Sequence, residues 1–510
     1  MPDLSIDPSK PDYKETTAAF FPIFEGGYSF GSVMDKLPEL AALYRRSNKT
    51  FAGGMMPGYF RLSAGYQDAR GTATYRTEWK HHLAVKPNWV HIATWNDIAE
   101  TTEIMPNSDF NLTRSDITAW FAEKFRGTPP PWKSPRLYIT TPRTAYLGQS
   151  YSVEGLVLNP LSRHVRVSVQ LLDSRRKPFG KPVTTIVEPA ADGAALVPMK
   201  LNAPPPGHFV RARATVTDGN KVVASVLSAP IAVLDPLTQP GFATLYYSIP
   251  SHKSLPGDVK MTLAGRPTTA QPAKLVIATA KPPRTQVQFS EVLFNNEILK
   301  NFLTEVPTPL QVPQQRNITV RSPDGAVALL AGEIKGGTEW GFYMTRVTDT
   351  QNRVGYSDPI YIAPPSDLAL KEKYSFEEGA GGLARDASPF KRMGELQKVE
   401  WIQPGFGGHG SALSFNGHDS RFDMVLSQTP VGPLSVKMVV RPHAYEGTFF
   451  CDSGGMWMTT TREGNVQFTR LSPQGWVSAT STAKLPLDQW TPLEFIWDGA
   501  HLRIFVSGKL

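Results

Sequence analysis

The run His91-Ile92-Ala93-Thr94-Trp95-Asn96-Asp97-Ile98-Ala99-Glu100 decides how the first part of this chain folds. It begins with β-prone apolar residues and ends abruptly in Asn96, Asp97 and Glu100. A buried strand that stops at clustered acids is typical of a (β/α) barrel, which presents catalytic groups at its carboxyl-terminal face. Two carboxyl groups in one pocket can hydrolyse a glycosidic bond, because one donates a proton and the other activates water or attacks. The alternative is that both acids only cap the next helix or face solvent.

Three strand–helix repeats surround this run. The predicted elements are strands at 18–24, 50–55 and 89–94, and helices at 37–44, 72–86 and 115–125, the first and last of these helices with serine caps. Such alternation predicts parallel β/α units. A complete barrel of this type needs about 250 residues, and only about 130 precede the β-rich remainder of the chain. We therefore expect the carboxyl-terminal portion of a TIM-type barrel.

The residues around the acids are similar to those of a known family. Residues 94–100 resemble the T-W-N-D-x-G-E signature of the α-1,3-glucanases (mutanases), glycoside hydrolase family 71, with Ala99 where the family has Gly. Residues 53–60 resemble its P-x-W/Y-F strand, and residues 75–79 resemble its R-W helix segment. Residues 102–106 are similar to the end of a sequence motif found in related barrels that act on mannans and other polysaccharides.

The resemblance implies hydrolysis with inversion by a pair of acids. We assign Glu100 as the proton donor and Asp97 as the base, and these two roles can be exchanged. The expected substrate-binding residues are Asn96, which would donate to a sugar hydroxyl, the stacking candidates Trp95 and Trp79, and Tyr59 beside the cleft. Core packing remains the alternative for each aromatic residue.

The rest of the chain has the period-two alternation of β-strands, beginning after the proline-rich segment 128–135. The last segment resembles a laminin-G-like (concanavalin-like) jelly roll, through landmarks such as G-x-A-L-x-F-x-G at 410–417. The predicted domains are a partial glycoside-hydrolase barrel (1–133), an Ig-like β-sandwich (134–236), a second β-sandwich (237–365) and the jelly roll (371–510), which we expect to be incomplete at its end. The fold class is therefore multidomain and mainly β overall.

Calcium is the one cofactor that the sequence brings into question. The proposed chemistry needs none, but jelly rolls of this kind sometimes bind calcium. Asp386, Asp419 and Asp423 are the weak candidates for hard oxygen ligands, with exposed loop acids as the alternative.

Composition narrows the function classes. The net charge of +8 comes from scattered Lys and Arg without a basic stripe, so no nucleic-acid partner is expected. The single cysteine, Cys451, rules out an intrachain disulfide. No apolar run approaches the ~20 residues that span a bilayer, so no transmembrane segment is expected. No signal peptide is visible in this chain either. The resemblance nevertheless favours a secreted or cell-surface protein that meets polysaccharide.

Two function classes remain. The first is a carbohydrate-active enzyme that hydrolyses O-glycosidic bonds in a polysaccharide such as α-1,3-glucan. The second is a non-catalytic glycan-binding or adhesion protein with a vestigial barrel, favoured because most of the chain is β-module. A metal-dependent hydrolase finds no support, since the adjacent His81 and His82 cannot face one metal from a helix. No phosphate-binding Gly loop or G-x-S-x-G elbow occurs.

Overall fold

The chain is mainly β, as the alternating pattern predicts. The computed structural model describes residues 12–61, 65–234, 244–265, 273–280, 287–294, 297–303, 318–321, 327–334, 341–362, 372–388, 393–424, 434–452, 456–472, 475–498 and 501–509. Among the helices in these ranges, none has the length and apolar character to span a bilayer.

The amino-terminal unit combines helices with a small parallel sheet. Its elements are α1 (Tyr13–Ala19), β1 (Gly26–Tyr28), α2 (Leu37–Arg46), β2 (Thr50–Met55), β3 (Tyr59–Arg61), β4 (Gly65–Gln67), α3 (Ala73–Val85), β5 (Trp89–Ile92) and α4 (Thr113–Arg126). Strands β1, β2 and β5 form a parallel three-stranded sheet in the order β1-β2-β5, and β3 pairs with β4 as a hairpin. The predicted β/α units at β2–α3 and β5–α4 are therefore parallel, while the barrel itself stays a prediction.

Two details of the predicted elements are wrong. The apolar run 18–24 does not form a strand, because α1 ends within it at Ala19, and the first parallel strand begins only at Gly26. Ser115 does not cap α4, which begins at Thr113; instead its hydroxyl donates to the carbonyl of Leu112 at 3.0 Å. Neither serine cap forms, since the residue before α2 is Lys36 and makes no side-chain cap bond.

Helices α3 and α4 are buried between two sheets. Their aromatic residues share one apolar core with the end of β2 and with a sheet that follows in the chain. The members of this core are Met55, Tyr75, Trp79, Ile104, Ile117, Trp120, Phe121, Tyr138, Leu156 and Leu158. Because Tyr138, Leu156 and Leu158 come from beyond the proline-rich segment 128–135, that segment joins two tightly packed units rather than separating them.

Two sheets follow. Their strands are β6 (Arg136–Pro142), β7 (Thr144–Tyr146), β8 (Ser150–Leu158), β9 (Val165–Leu172), β10 (Pro178–Val187), β11 (Asp192–Lys200), β12 (Phe209–Asp218), β13 (Lys221–Leu227), β14 (Ile231–Leu234) and β15 (Tyr246–Pro250). One sheet has the order β10-β9-β12-β14-β7, with β13 on β12, and the other has the order β11-β8-β6-β15. Every strand pair in them is antiparallel except β14–β7, which is parallel. Valines 165, 167 and 169 of β9 alternate inward into a common core, as period-two patterning requires.

The next two sheets contain β16 (Val259–Ala264), β17 (Ala273–Ala280), β18 (Val287–Phe294), β19 (Glu297–Leu303), β20 (Ile318–Arg321), β21 (Val327–Ile334), β22 (Gly341–Asp349), β23 (Val354–Tyr356) and β24 (Ile360–Ile362). Their orders are β16-β17-β21-β20 and β19-β18-β22-β23, with β24 on β22. Strand β15, which a division at residue 236 assigns to this block, pairs with β6 of the preceding one. The buried guanidinium of Arg211 also joins the blocks, donating to Asp358 at 2.8 Å and to the carbonyl of Ser357 at 3.0 Å.

The carboxyl-terminal strands are β25 (Leu383–Arg385), β26 (Met393–Gln397), β27 (Glu400–Ile402), β28 (Ala412–Ser414), β29 (Arg421–Asp423), β30 (Leu434–Val440), β31 (Thr448–Asp452), β32 (Met456–Thr460), β33 (Asn465–Ser472), β34 (Gly475–Lys484), β35 (Thr491–Trp497) and β36 (Leu502–Val506). The sheets β30-β35-β36 and β31-β32-β33-β34 pack on each other around Met458, Phe468 and Phe495. The jelly-roll assignment stays a prediction.

Candidate functional site

The loops that follow β1, β2 and β5 lie at one edge of the parallel sheet. Parallel strands end on the same side, so their carboxyl-terminal loops come together there. Pairing continues beyond β5, because the N–H of Ala93 donates to the carbonyl of Met55 at 3.0 Å. The run 91–100 leaves the sheet at this edge, as its sequence predicts.

Both predicted catalytic acids belong to one short loop, residues 96–100, which we call the acid turn. Asp97 Oδ1 accepts the N–H of Glu100 at 3.1 Å, and the N–H of Asp97 donates to Thr94 Oγ1 at 3.0 Å. The side chains of Asp97 and Glu100 are both half-buried. Because α4 begins only at Thr113, neither acid caps that helix.

The β3–β4 hairpin braces the acid turn from one side. The N–H of Phe60 donates to the carbonyl of Glu100 at 2.9 Å. The hydroxyl of Tyr59 donates to Glu100 Oε1 at 3.4 Å, a long hydrogen bond. The structure thus brings Tyr59 beside Glu100, while its predicted place beside a sugar cleft stays a prediction.

The other predicted sugar contacts divide into two groups. Trp95 is 58% exposed, and Asn96 next to it is exposed as well. Trp79, by contrast, is 2% exposed and stacks on Phe121 with ring centroids 5.9 Å apart. For Trp79 the structure therefore supports the core-packing alternative, because no ring face is left for a sugar.

Four ring-bearing side chains on the parallel sheet and its loops were not among the predicted site residues. The ring of His91 lies 5.1 Å from that of Tyr28 and 5.7 Å from that of Phe30, which is 55% exposed. Tyr28 and Trp89 lie on the same sheet face, since both pair with Ala52 across β2. We call Tyr28, Phe30, Trp89 and His91 the aromatic face. Alternation along β1 and β5 is the signal that could have found it.

A cavity of about 130 Å³ adjoins the acid turn on the hairpin side. We call it the junction cavity, since β3–β4, the loop 98–114 and residues 143 and 244–246 all contribute to it. Its lining residues are Tyr59, Phe60, Tyr66, Gln67, Ala69, Ile98, Thr101, Glu103, Asp109, Phe110, Arg114, Arg143, Thr244, Leu245 and Tyr246. No pattern in the sequence predicts this cavity, because its walls come from segments far apart in the chain.

The charged groups of the junction cavity are buried and coupled. Burial raises the pKa of Glu103, and burial lowers the pKa of the neighbouring Arg114 to about 10. Burial also disfavours ionised Asp109, but the guanidinium groups of Arg143 and Arg346 outweigh it and lower its pKa. Their nitrogen atoms lie 2.5 Å and 2.6 Å from its carboxylate oxygens.

A second buried acid lies behind the parallel sheet. Glu78 of α3 is fully buried and accepts the hydroxyl of Ser32, and burial raises its pKa to about 7. One turn later, His82 is equally buried, and burial lowers its pKa. Both side chains therefore belong to the core of the unit.

The calcium candidates in the carboxyl-terminal module have other partners. Asp386 is buried and accepts the N–H groups of Lys373 and Ser388. Asp419 pairs with Lys398 at 2.5 Å, and Asp423 pairs with Arg421 at 2.8 Å. Within the ranges that the structure describes, no cluster of three or more His, Cys, Asp or Glu side chains is placed to hold a metal ion.

Comparison with known proteins adds no relative: no family model matches this chain, and no curated protein matches it. The resemblance to family 71 therefore depends on residues 94–100 and the segments around them.

Proposed function

We propose that this is a carbohydrate-active protein that hydrolyses O-glycosidic bonds in a polysaccharide such as α-1,3-glucan, with Asp97 and Glu100 as its acid–base pair. One observation carries the proposal. Both acids are half-buried on one turn at the carboxyl-terminal edge of a parallel sheet, beside the exposed Trp95 and Asn96. Acids fixed beside an exposed indole suit a ligand that has both hydroxyl groups and flat apolar faces.

The chemistry needs no cofactor. Glu100 donates its proton to the glycosidic oxygen as the bond from that oxygen to the anomeric carbon breaks. Asp97 accepts a proton from water, whose oxygen bonds to the anomeric carbon from the opposite face. The products are two shorter glycans, one with a new reducing end. The assignment of Glu100 as acid and Asp97 as base follows the resemblance. The reverse assignment consumes the same water and gives the same products.

A second candidate function is glycan binding or adhesion without hydrolysis. The aromatic face supports it, because Trp89 is 68% exposed and Phe30 is 55% exposed. Aromatic rings displayed in this way bind sugar faces without any chemistry. Both candidates imply a polysaccharide partner and hence a secreted or cell-surface location.

Hydrolysis is tested by the release of reducing sugar from α-1,3-glucan. Asp97→Asn and Glu100→Gln should each lower the rate about 100-fold or more, because each removes one proton-transfer group. Glu463→Gln, at an exposed site on the turn between β32 and β33, is the matched control and should leave the rate unchanged. Equal release by the wild type and both acid variants would refute the assignment.

Binding is tested by co-sedimentation with insoluble α-1,3-glucan. A wild-type chain that sediments with glucan but releases no sugar supports the second candidate. Trp95→Ala should weaken sedimentation under either function, since it removes the exposed indole beside the acid turn. No sedimentation and no release of sugar would contradict both candidates for this polymer.

A further inference from the structure

One face of a sheet in the carboxyl-terminal module lies outside the apolar core. Along β32, β33 and β34, the residues that pack inward, such as Met458 and Phe468, alternate with side chains on the opposite face. We call this outer surface the indole face, and its members are Trp457, Gln467, Thr469, Trp476, Ser478 and Thr480. Its members on β34 are exposed, and those on β32 and β33 are half-buried.

Two tryptophan rings lie together on this face. Trp457 and Trp476 stack with ring centroids 4.7 Å apart and an interplanar angle of 23°, and Trp476 is 38% exposed. They belong to β32 and β34, so the rings meet over β33, the strand between them. Each ring restricts the other, which lowers the entropy that is lost when a ligand stacks on the pair. Exposed indole surface also makes its coverage by a ligand favourable.

Hydroxyl and amide groups lie next to the two indoles. Thr469 and Ser478 are cross-strand partners, and their hydroxyl oxygens lie 2.8 Å apart. Gln467 and Thr480 form the neighbouring cross-strand pair. The hydroxyl pair can still donate and accept, since each hydroxyl donates once and accepts twice. The face therefore offers hydrogen bonds beside rings on which a ligand can stack.

Charge and size narrow the class of ligand. None of the six residues is Lys, Arg, Asp or Glu, so the face lacks the cations that nucleic acids and anionic lipid surfaces require. At ordinary strand spacing it measures about 10 Å across three strands and about 13 Å along β34, or about 130 Å². A stable protein interface needs about 800 Å² on each side. The indole face is too small for that, but it has the size of a short stretch of glycan.

We infer that the indole face is a second polysaccharide-binding surface, where a neutral glycan stacks on the two indoles and hydrogen-bonds to Thr469 and Ser478. Such a glycan fits because its rings are uncharged, have apolar C–H faces and carry hydroxyl groups at their edges. The inference rests on the proposed function for its choice of polymer, but it requires neither hydrolysis nor the acid turn.

The test is co-sedimentation of the full-length chain with insoluble α-1,3-glucan over a range of polymer concentrations. Trp476→Ala should weaken the affinity about tenfold, because it removes the exposed ring. Trp476→Phe keeps an aromatic ring and should recover part of the affinity. The matched control is Phe415→Ala, at a 50% exposed aromatic residue of the same module, and it should sediment like the wild type. The effect of Trp476→Ala should persist at about 0.5 M salt, because no ion pair contributes to it.

Failure of this inference is distinguishable from failure of the proposed hydrolysis. Trp476→Ala should weaken sedimentation equally in a chain that carries Asp97→Asn and Glu100→Gln, whether or not those acids are catalytic. Loss of sedimentation by Trp476→Ala on β-1,3-glucan or cellulose alone would support the indole face and contradict α-1,3-glucan as the polymer. Wild-type affinity in a folded Trp476→Ala variant would overturn the inference. Absence of wild-type sedimentation with all three polymers would overturn it as well.

Discussion

At the scale of single residues, side chains of the same type have different roles because they differ in burial. Trp79 and Trp95 are the two tryptophans of the family-like segments, and one is 2% exposed while the other is 58% exposed. Glu78 and Glu100 differ in the same way, since Glu78 is fully buried behind the sheet and Glu100 is half-buried at its edge. The first member of each pair is part of the core, and the second is accessible to solvent.

Replacing the two tryptophans should have opposite consequences. Trp79→Ala should lower the free energy of unfolding of the amino-terminal unit by about 3–5 kcal/mol, because it leaves a large cavity beside Phe121. Trp95→Ala should change stability by less than about 0.5 kcal/mol but weaken glucan binding. Guanidinium unfolding monitored by α-helical circular dichroism measures the first effect. Equal destabilisation by both changes would contradict the exposure of Trp95.

The buried Glu78 should make stability depend on pH. The folded chain keeps its proton up to about pH 7, whereas the unfolded chain releases it near the ordinary pKa of 4.5. Between these values the folded state binds more protons, so the free energy of unfolding falls as pH rises through this window. Glu78→Gln should remove this fall and stabilise the unit by about 3 kcal/mol at about pH 8.

The matched control for Glu78 is Glu15→Gln, which changes an exposed carboxyl group on α1. Its unfolding midpoint should follow the wild-type pH dependence across the whole window. A Glu78→Gln variant with the wild-type slope would show that another group causes the dependence.

At the scale of elements, the sequence predicted the strongly patterned pieces and missed those set by tertiary contacts. The predicted strand 50–55 agrees with β2, because turn residues flank it. The predicted helix 72–86 agrees with α3, because its apolar residues have helical spacing. The run 18–24 was misassigned because a short apolar run has no period that distinguishes strand from helix. The acid turn was foreseen from a contiguous motif. The junction cavity was not, because its walls meet only after folding.

Helix α3 is attached to β8 by a buried ion pair whose loss should be costly. Arg76 donates to Glu154 at 2.5 Å and to Asp192 at 3.1 Å, and Glu154 also accepts the N–H of Thr72 at 2.8 Å. Arg76→Met should cost about 3–5 kcal/mol, since it leaves the buried carboxylate of Glu154 without its ion-pair partner. Guanidinium unfolding measures this, and the Arg76→Met, Glu154→Leu double variant should recover part of the loss.

The control pair is Arg126 and Glu123 on α4, which lie 2.8 Å apart with the arginine side chain 65% exposed. Arg126→Met should cost less than about 1 kcal/mol, because solvent screens exposed pairs. Similar costs for Arg76→Met and Arg126→Met would show that the buried pair does not fasten α3 to the sheet.

At the scale of the whole molecule, the amino-terminal unit and the first β layers form one packed body. Helices α3 and α4 have the parallel sheet on one side and the sheet β11-β8-β6-β15 on the other, with Tyr138, Leu156 and Leu158 in their core. Stacking of Trp132 on Trp120, with ring centroids 5.9 Å apart, fixes the proline-rich connection as well. The helices therefore have partners on both faces.

Removing the amino-terminal unit should expose that apolar sheet face. A fragment of residues 134–362 should bind a hydrophobic dye and aggregate, whereas residues 1–362 should do neither, because only the longer fragment covers Leu156 and Leu158. Dye fluorescence and size-exclusion chromatography measure the two properties. A monomeric fragment 134–362 without dye binding would contradict the shared core.

The wall of the junction cavity includes Arg143 and residues 244–246. These two parts of the wall are about a hundred positions apart in the chain. The shape of this cavity therefore depends on residues far along the chain from the acid turn. A mutant library confined to the codons of the amino-terminal unit would leave Arg143 and residues 244–246, and so part of the cavity wall, unchanged.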